Sequence, residues 1–143
     1  MSIHQISIFV ENKEGALSKV TGILARANID IRALSIADTT DFGILRLIVS
    51  DPDLALKTLK GATMMVSRTE VIAVCLDDKA GALHNVLDTL GKAGIAVEYA
   101  YAFITRKSGA AYVILRVEDN QKATAVLKDG GIRLLEAEDV YSL

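Results

Sequence analysis

The segment Asn12-Lys13-Glu14-Gly15-Ala16-Leu17-Ser18-Lys19-Val20 returns as Asp78-Lys79-Ala80-Gly81-Ala82-Leu83-His84-Asn85-Val86, with Gly15 mapping onto Gly81 66 positions later. The same offset pairs Leu24 with Leu90, Ala27 with Ala93, Ile29 with Ile95 and Gly43 with Gly109. Beyond Gly43 an offset of 68 fits better and pairs Val49 with Val117, Asp51 with Asp119, Ala55 with Ala123 and Leu59 with Leu127. A two-residue insertion near Lys107–Ser108 accounts for the slip. Self-similarity at a fixed spacing marks two copies of one structural unit. The copies fill the sequence, so two domains are expected, residues 1–68 and 69–143, with no separate catalytic domain. Units of about 70 residues bury thin cores. The halves are therefore expected to pack side by side, and a homodimer is the default assembly because two-fold closure is the commonest.

Half of the residues, 51%, are hydrophobic and only 5% are aromatic, so the core is built from Ile, Leu, Val and Ala. A net charge of −2 offers no basic field for phosphates, which argues against nucleic acid. No apolar run approaches the roughly 18 residues of a membrane helix. The N-terminus also lacks a basic region ahead of an apolar stretch, so a cytoplasmic protein is expected. Cys75 is the single cysteine and lies in the apolar run Val71–Leu76, which reads as a buried, inert thiol.

Ile6, Ile8 and Val10 alternate with Ser7 and Phe9, a strand pattern. After a turn at Glu11–Gly15, the residues Ala16, Leu17, Val20, Ile23, Leu24 and Ala27 form a helical stripe ending at Asn28, which tolerates the left-handed conformation. Ile29 and Ile31 open a second strand, and the parity change at Leu34 and Ile36 predicts a bulge near Arg32–Ala33. Asp38–Gly43 has turn chemistry and leads to a strand at Ile44–Val49. Asp51-Pro52 starts a helix with Leu54, Ala55, Thr58 and Leu59 on its buried side, and Met64–Val66 reads as a fourth strand. Ser67–Glu70 then reads as a short connector.

The second copy repeats the order. It has a strand at Val71–Leu76 and a helix striped by Ala82, Leu83, Val86, Leu87, Leu90 and Ala93. A hairpin of Ile95–Thr105 and Ala110–Val117 follows around Arg106–Gly109. A helix at Lys122–Lys128 and a last strand from Ile132, reaching as far as Tyr141, complete it. The fold class is therefore α+β: two ferredoxin-like βαββαβ domains, each an antiparallel sheet with helices on one face. In the second copy neither Tyr99, Tyr101 and Phe103 nor Ala100, Ala102 and Ile104 form a polar outer face, which points to an oligomer contact there.

This fold hosts unrelated functions, so the site must decide. The strand Ile44–Val49 has no aromatic residue for stacking bases. One cysteine and the separated His4 and His84 cannot form a soft metal site, and no cofactor is implied. No acid, base and nucleophile converge, so catalysis is not expected.

The pattern Ile8-Phe9-Val10-Glu11-Asn12-Lys13-Glu14-Gly15-Ala16-Leu17, with Val20, Leu24 and Asn28-Ile29-Asp30-Ile31, resembles an ACT domain. The second copy does so through Asp78–Leu83, Val86, Leu90 and Gly94-Ile95-Ala96-Val97. The resemblance implies a regulatory sensor that binds a free amino acid at a domain interface and modulates amino-acid metabolism. It also implies contacts in the first loop and at the start of the second strand. These positions are Asn12, Lys13, Gly15, Ala16, Leu17, Asp30 and Ile31 in the first copy, and Asp78, Lys79, Gly81, Ala82, Leu83 and Ala96 in the second.

The chemistry fits. A ligand carboxylate needs several N–H donors, and a helix N-terminus supplies them with a favourable dipole. Glycine lets the backbone approach closely. Asn12 or Asp30 can accept from an ammonium, and Leu17 and Ile31 can line an apolar slot. The alternative is that the glycines serve only the turn and Leu17 and Leu83 belong to the core. Glu14 and Ala80 stand where the family loop often has Pro, and Asp30 and Ala96 where many members have Asn. Asp78 is a weaker carboxylate binder than Asn12, so the first loop is ranked ahead of the second. The first copy also resembles the small regulatory subunit of acetolactate synthase, through Glu11-Asn12, Gly15–Ser18, Val20 and Gly22. That gives a second reading, a regulatory subunit with a separately encoded enzyme partner. A ligand-free structural assembly module is a third.

Overall fold

The computed structural model describes residues 2–38, 41–104 and 109–143. The elements run β1 (Ile3–Glu11), α1 (Ala16–Arg26), β2 (Ile31–Asp38), β3 (Phe42–Val49), α2 (Pro52–Gly61) and β4 (Val66–Asp77). They continue with α3 (Ala82–Lys92), β5 (Tyr99–Ala102), β6 (Ala110–Arg116), α4 (Asn120–Asp129), β7 (Arg133–Leu134) and α5 (Ala137–Tyr141). Two compact units result. One comprises His4–Thr69 with Tyr141–Leu143, and the other Met1–Ile3 with Glu70–Val140.

In the first unit the strand order is β2-β3-β1-β4, all antiparallel where paired with β3. Ile6, Ile8, Val10, Leu45, Leu47 and Val49 share the helix-facing side and pack with Val20, Leu24, Ala55 and Leu59. Each fully buried aliphatic side chain of this kind contributes about 1.5–3 kcal/mol. β2 shifts register between Ile31 and Ala33, where the parity change placed a bulge. Leu54 departs from the expected pattern: it is exposed, and Leu56 packs on the core instead. Asp51 caps α2 by accepting from the Leu54 N–H at 3.1 Å, and Ala55 and Leu59 set the buried face of the helix, which Leu54 lies off.

The second unit has the equivalent order β7-β4-β6-β5. Its core joins Ile72, Val74, Leu76, Val113, Leu115 and Val117 to Val86, Leu90, Ala123 and Leu127. Asp119 caps α4 through the Lys122 N–H at 3.0 Å, matching Asp51. Local geometry repeats as well. Asn28 and Gly94 both have positive φ, as do Thr63 and Gly131.

Three departures from the expected elements have local causes. Val66 and Ser67–Glu70 belong to one twelve-residue strand, so there is no connector and Met64-Met65 precede the strand. The polar stretch lacks Gly, Pro or Asn to break the extended chain. β5 is only four residues long, against the expected Ile95–Thr105; Thr105 and the turn residues Arg106–Ser108 lie outside the described residues, as do Thr39 and Thr40. The final strand ends at Leu134 and gives way to α5, because the Asp139 carboxylate accepts from the Glu136 N–H at 3.0 Å and starts a helical turn.

The aromatic residues on the outer sheet face of the second unit are largely out of solvent. Tyr101, Phe103, Tyr112 and Ile114 are buried there, with Phe103 and Tyr112 packed edge to face. Tyr99 on the same face is half-buried. Ile104, on the opposite parity, is 64% exposed. Among the described residues no helix is long and apolar enough to cross a membrane.

Candidate functional site

The two glycine-led loops adopt one geometry. Gly15 has φ 78° and Gly81 has φ 89°, in the left-handed region open to glycine, and each stands at the N-cap of its helix. The Lys13 and Lys79 N–H groups both donate at 2.9 Å, to the carbonyls of Glu11 and Asp77. The Ala16 and Ala82 N–H groups both donate at 3.3 Å, to the carbonyls of Lys13 and Lys79. Asn12 and Asp78 tie each loop to the far hairpin end, through Asp41 O at 3.0 Å and Gly109 O at 3.1 Å.

No side chain caps α1 or α3, whereas Asp residues cap α2 and α4. A left-handed glycine contributes no acceptor, so beyond Ala16 and Ala82, whose N–H groups are held by the loop carbonyls, the next first-turn N–H groups of α1 and α3 have no side-chain cap and stand open to an anion. The copies use carboxylate caps where the helix is structural and leave the glycine-led helices without one. Leu17 and Leu83 are 40% and 41% exposed, which removes them from the core and leaves them beside these helix starts.

At the second loop a cavity of about 690 Å³ opens, lined by Cys75, Asp77, Lys79, Ala80, Gly81, Ala82, Asn85, Ala110 and the segment Gly131–Arg133. Of the expected contact residues, Lys79, Gly81 and Ala82 line it, while Asp78, Leu83 and Ala96 do not. Cys75 is half-buried and faces this cavity, so it is not the sequestered thiol that the apolar run suggested. It sits on the opposite strand parity to Val74 and Leu76, which fill the core. Sequence reasoning also missed Arg133. It pairs in register with Cys75 across β4 and β7, a relation set by a strand pairing that no local motif encodes.

In the first copy the loop residues are exposed. Asn12 Nδ2 donates to Asp38 Oδ1 at 3.3 Å, and Lys13 pairs with Glu11 at 2.9 Å. Asp30 and Ile31 are not beside them. Glu11 registers with Phe42 at one end of β3, and Ile31 registers with Val49 at the other. Seven strand positions separate the two, about 23 Å. Asp30 is held by its own neighbours. Its N–H donates to Ser50 Oγ at 2.9 Å, and its carboxylate accepts from Arg32. One ligand cannot touch both groups within a single unit.

A second cavity, about 530 Å³, lies along α4 beside Glu70, Asn120, Thr124, Lys128, Leu134 and Glu136. It is smaller and meets no open helix N-terminus. Among the described residues no three His, Cys, Asp or Glu groups are placed to hold a metal ion.

Two ferredoxin-like units, each with an uncapped glycine-led helix at one loop, define a tandem small-module protein of the ACT type. The chain matches the ACT domain pair family over residues 1–143 and belongs to it. It is 43% identical to a protein of known crystal structure from Bacteroides thetaiotaomicron, with a TM-score of 0.93 and coverage of 100% of this chain and 98% of that one. The ligand-free regulatory subunit of aspartate kinase from Thermus thermophilus shares the fold at a TM-score of 0.66 and 14% identity, over 89% of this chain and 91% of that one. The corresponding subunit from Thermus flavus does so at 0.62 and 15%, over 92% and 94%. No curated protein matches the chain significantly.

Proposed function

We propose that this protein is a non-catalytic regulatory sensor that binds a free amino acid and modulates amino-acid metabolism. The observation that carries the reading is the pair of open helix N-termini, at equivalent left-handed glycines in both copies, one of them giving onto the cavity at Gly81. The ligand carboxylate would take the first-turn N–H groups of α3, where the helix dipole favours an anion. The ammonium would face Asp77 or a loop carbonyl. Gly81 keeps the approach free of a Cβ, with no heavy atom within 4 Å of the place one would occupy.

The first-copy residues Asn12, Lys13, Gly15, Ala16 and Leu17 form the matching loop. A ligand there that also reaches Asp30 and Ile31 needs a second chain to bring the far end of a β2 strand to the loop, which supports a homodimer. We take 1–68 and 69–143 as the two ACT domains of the family match. Belonging to this family, with the fold of an aspartate kinase regulatory subunit, supports the companion reading that a distinct biosynthetic enzyme is the partner.

A thermal-shift screen against the standard amino acids at a few millimolar tests the proposal. A ligand at 100 times its dissociation constant adds about 2.7 kcal/mol to the folded state, which corresponds to a shift of several degrees. A flat response across the whole panel sinks the amino-acid reading. Co-purification of a stable enzyme from the native source tests the subunit reading.

A further inference from the structure

The two copies share one backbone cradle but furnish it differently. In register, the positions of Cys75 and Arg133 in the second copy correspond to Phe9 and Met65 in the first, and Ala110 corresponds to Phe42. Phe9, Phe42 and Met65 are 56%, 51% and 72% exposed, so the first copy presents an apolar surface at this point. The second copy presents a thiol, a methyl group and a guanidinium around a cavity.

The charges around that cavity are few and can be counted. Asp77 and Lys79 face each other at 3.9 Å and largely offset one another. Arg133 then remains as an exposed cation on the lining with no ion pair among the described residues. A neutral amino acid would satisfy the α3 N–H groups through its carboxylate and leave Arg133 unused. A ligand with a second carboxylate would engage both. The planar guanidinium fork matches a carboxylate in two-point geometry. The half-buried Cys75 and the methyl of Ala110 line the cavity beside Arg133, where the first copy carries the larger Phe9 and Phe42.

We infer that the second-copy cavity takes an α-amino acid with an acidic side chain, and that Arg133 is the residue that selects it. This rests on the amino-acid-binding reading above and adds to it the class of ligand and the copy that holds it. The first copy, with Met65 and Phe9 at these positions, lacks that preference.

The test is calorimetric titration of the full chain with L-glutamate, L-aspartate, L-glutamine, L-asparagine and L-leucine, repeated for Arg133→Met, Arg133→Lys, Gly81→Ala and Gly15→Ala. The expected result is tighter binding of one acidic amino acid than of its amide by at least about tenfold. Arg133→Met, which installs the first-copy residue, should abolish that ratio, and Arg133→Lys should keep part of it. Gly81→Ala should weaken every ligand. Arg133 is exposed, so the unliganded melting midpoint of its variants should stay unchanged and confirm folding. Equal binding of acid and amide, or a ratio that survives Arg133→Met, overturns the inference and leaves the sensor reading standing. Loss of acid binding on Gly15→Ala but not on Gly81→Ala also overturns it, because the site would then lie in the first copy. Failure of every amino acid to bind overturns both.

Discussion

The backbone N–H of His4 donates to the hydroxyl of Tyr141 at 2.9 Å, across 137 positions of sequence. The Tyr141 carbonyl also accepts from Arg32 Nη2 at 3.1 Å. Burial pushes the Tyr141 hydroxyl pKa up; the His4 hydrogen bond opposes that shift and the Asp53 charge adds to it. The neutral phenol is therefore favoured in the folded state. Its contribution is fully present below the ordinary tyrosine pKa, near 10, and is lost as pH rises through the raised value. Tyr141→Phe should cost about 1 kcal/mol at neutral pH, because the His4 N–H loses its acceptor. It should also remove part of the alkaline loss of stability, as chemical denaturation at pH 7 and above pH 10 would show.

At the glycine loops, an added Cβ meets no neighbour at either position, so the cost of Gly→Ala lies in the left-handed backbone alone. Gly15→Ala and Gly81→Ala should each destabilise by roughly 1–2 kcal/mol. Both should stay folded at room temperature. The ligand-induced shift should fall more for Gly81→Ala, where the cavity opens, although the loop sequences alone rank Gly15 first.

Thr63 has φ 60°, a conformation that is strained for a β-branched residue, and its counterpart in the second copy is Gly131. Thr63→Gly should raise stability by about 1 kcal/mol. A lower urea midpoint for the variant would contradict this account of the strain.

The helix caps give a control pair. Asp119→Ala removes the acceptor for the Lys122 N–H and should cost about 1 kcal/mol, with Asp51→Ala close to it. Neither change touches a ligand-facing loop, so amino-acid affinity should hold while the melting midpoint drops.

Core and site leucines should separate cleanly. Leu127 is fully buried and Leu83 is not. Leu127→Ala should cost 2–5 kcal/mol by the usual range for such cavities, roughly. Leu83→Ala should change stability by less than about 0.5 kcal/mol. Equal losses would place Leu83 in the core after all.

Much of this molecule is local and so was readable. The helical stripes, the Asp51 and Asp119 caps, the bulge near Arg32 and the left-handed glycines each depend on a few neighbouring residues. The family resemblance rested on those same short patterns. What escaped depends on contacts distant in sequence or on the absence of a signal. Ser67–Glu70 looked like a connector because it is polar, yet polarity does not break a strand that has neighbours to bond. The turn into α5 hangs on Asp139 reaching back to Glu136, a cap hidden behind two leucines that read as strand. Cys75 lies in an apolar run whose alternate residues face opposite ways, and only the strand register shows that it meets Arg133. The distance between Asp30 and the first loop likewise follows from register, not from spacing along the chain.

The strand β4 begins in one compact unit and ends in the other, and residues 1–3 and 141–143 are each grouped with the copy to which the sequence repeat does not assign them. The stretch that was duplicated and the stretch that folds as a body are therefore different lengths of chain. A fragment cut at the repeat boundary after Arg68 would split β4 and lack residues of its own unit. A change at either terminus is therefore felt first by the copy at the other end of the sequence.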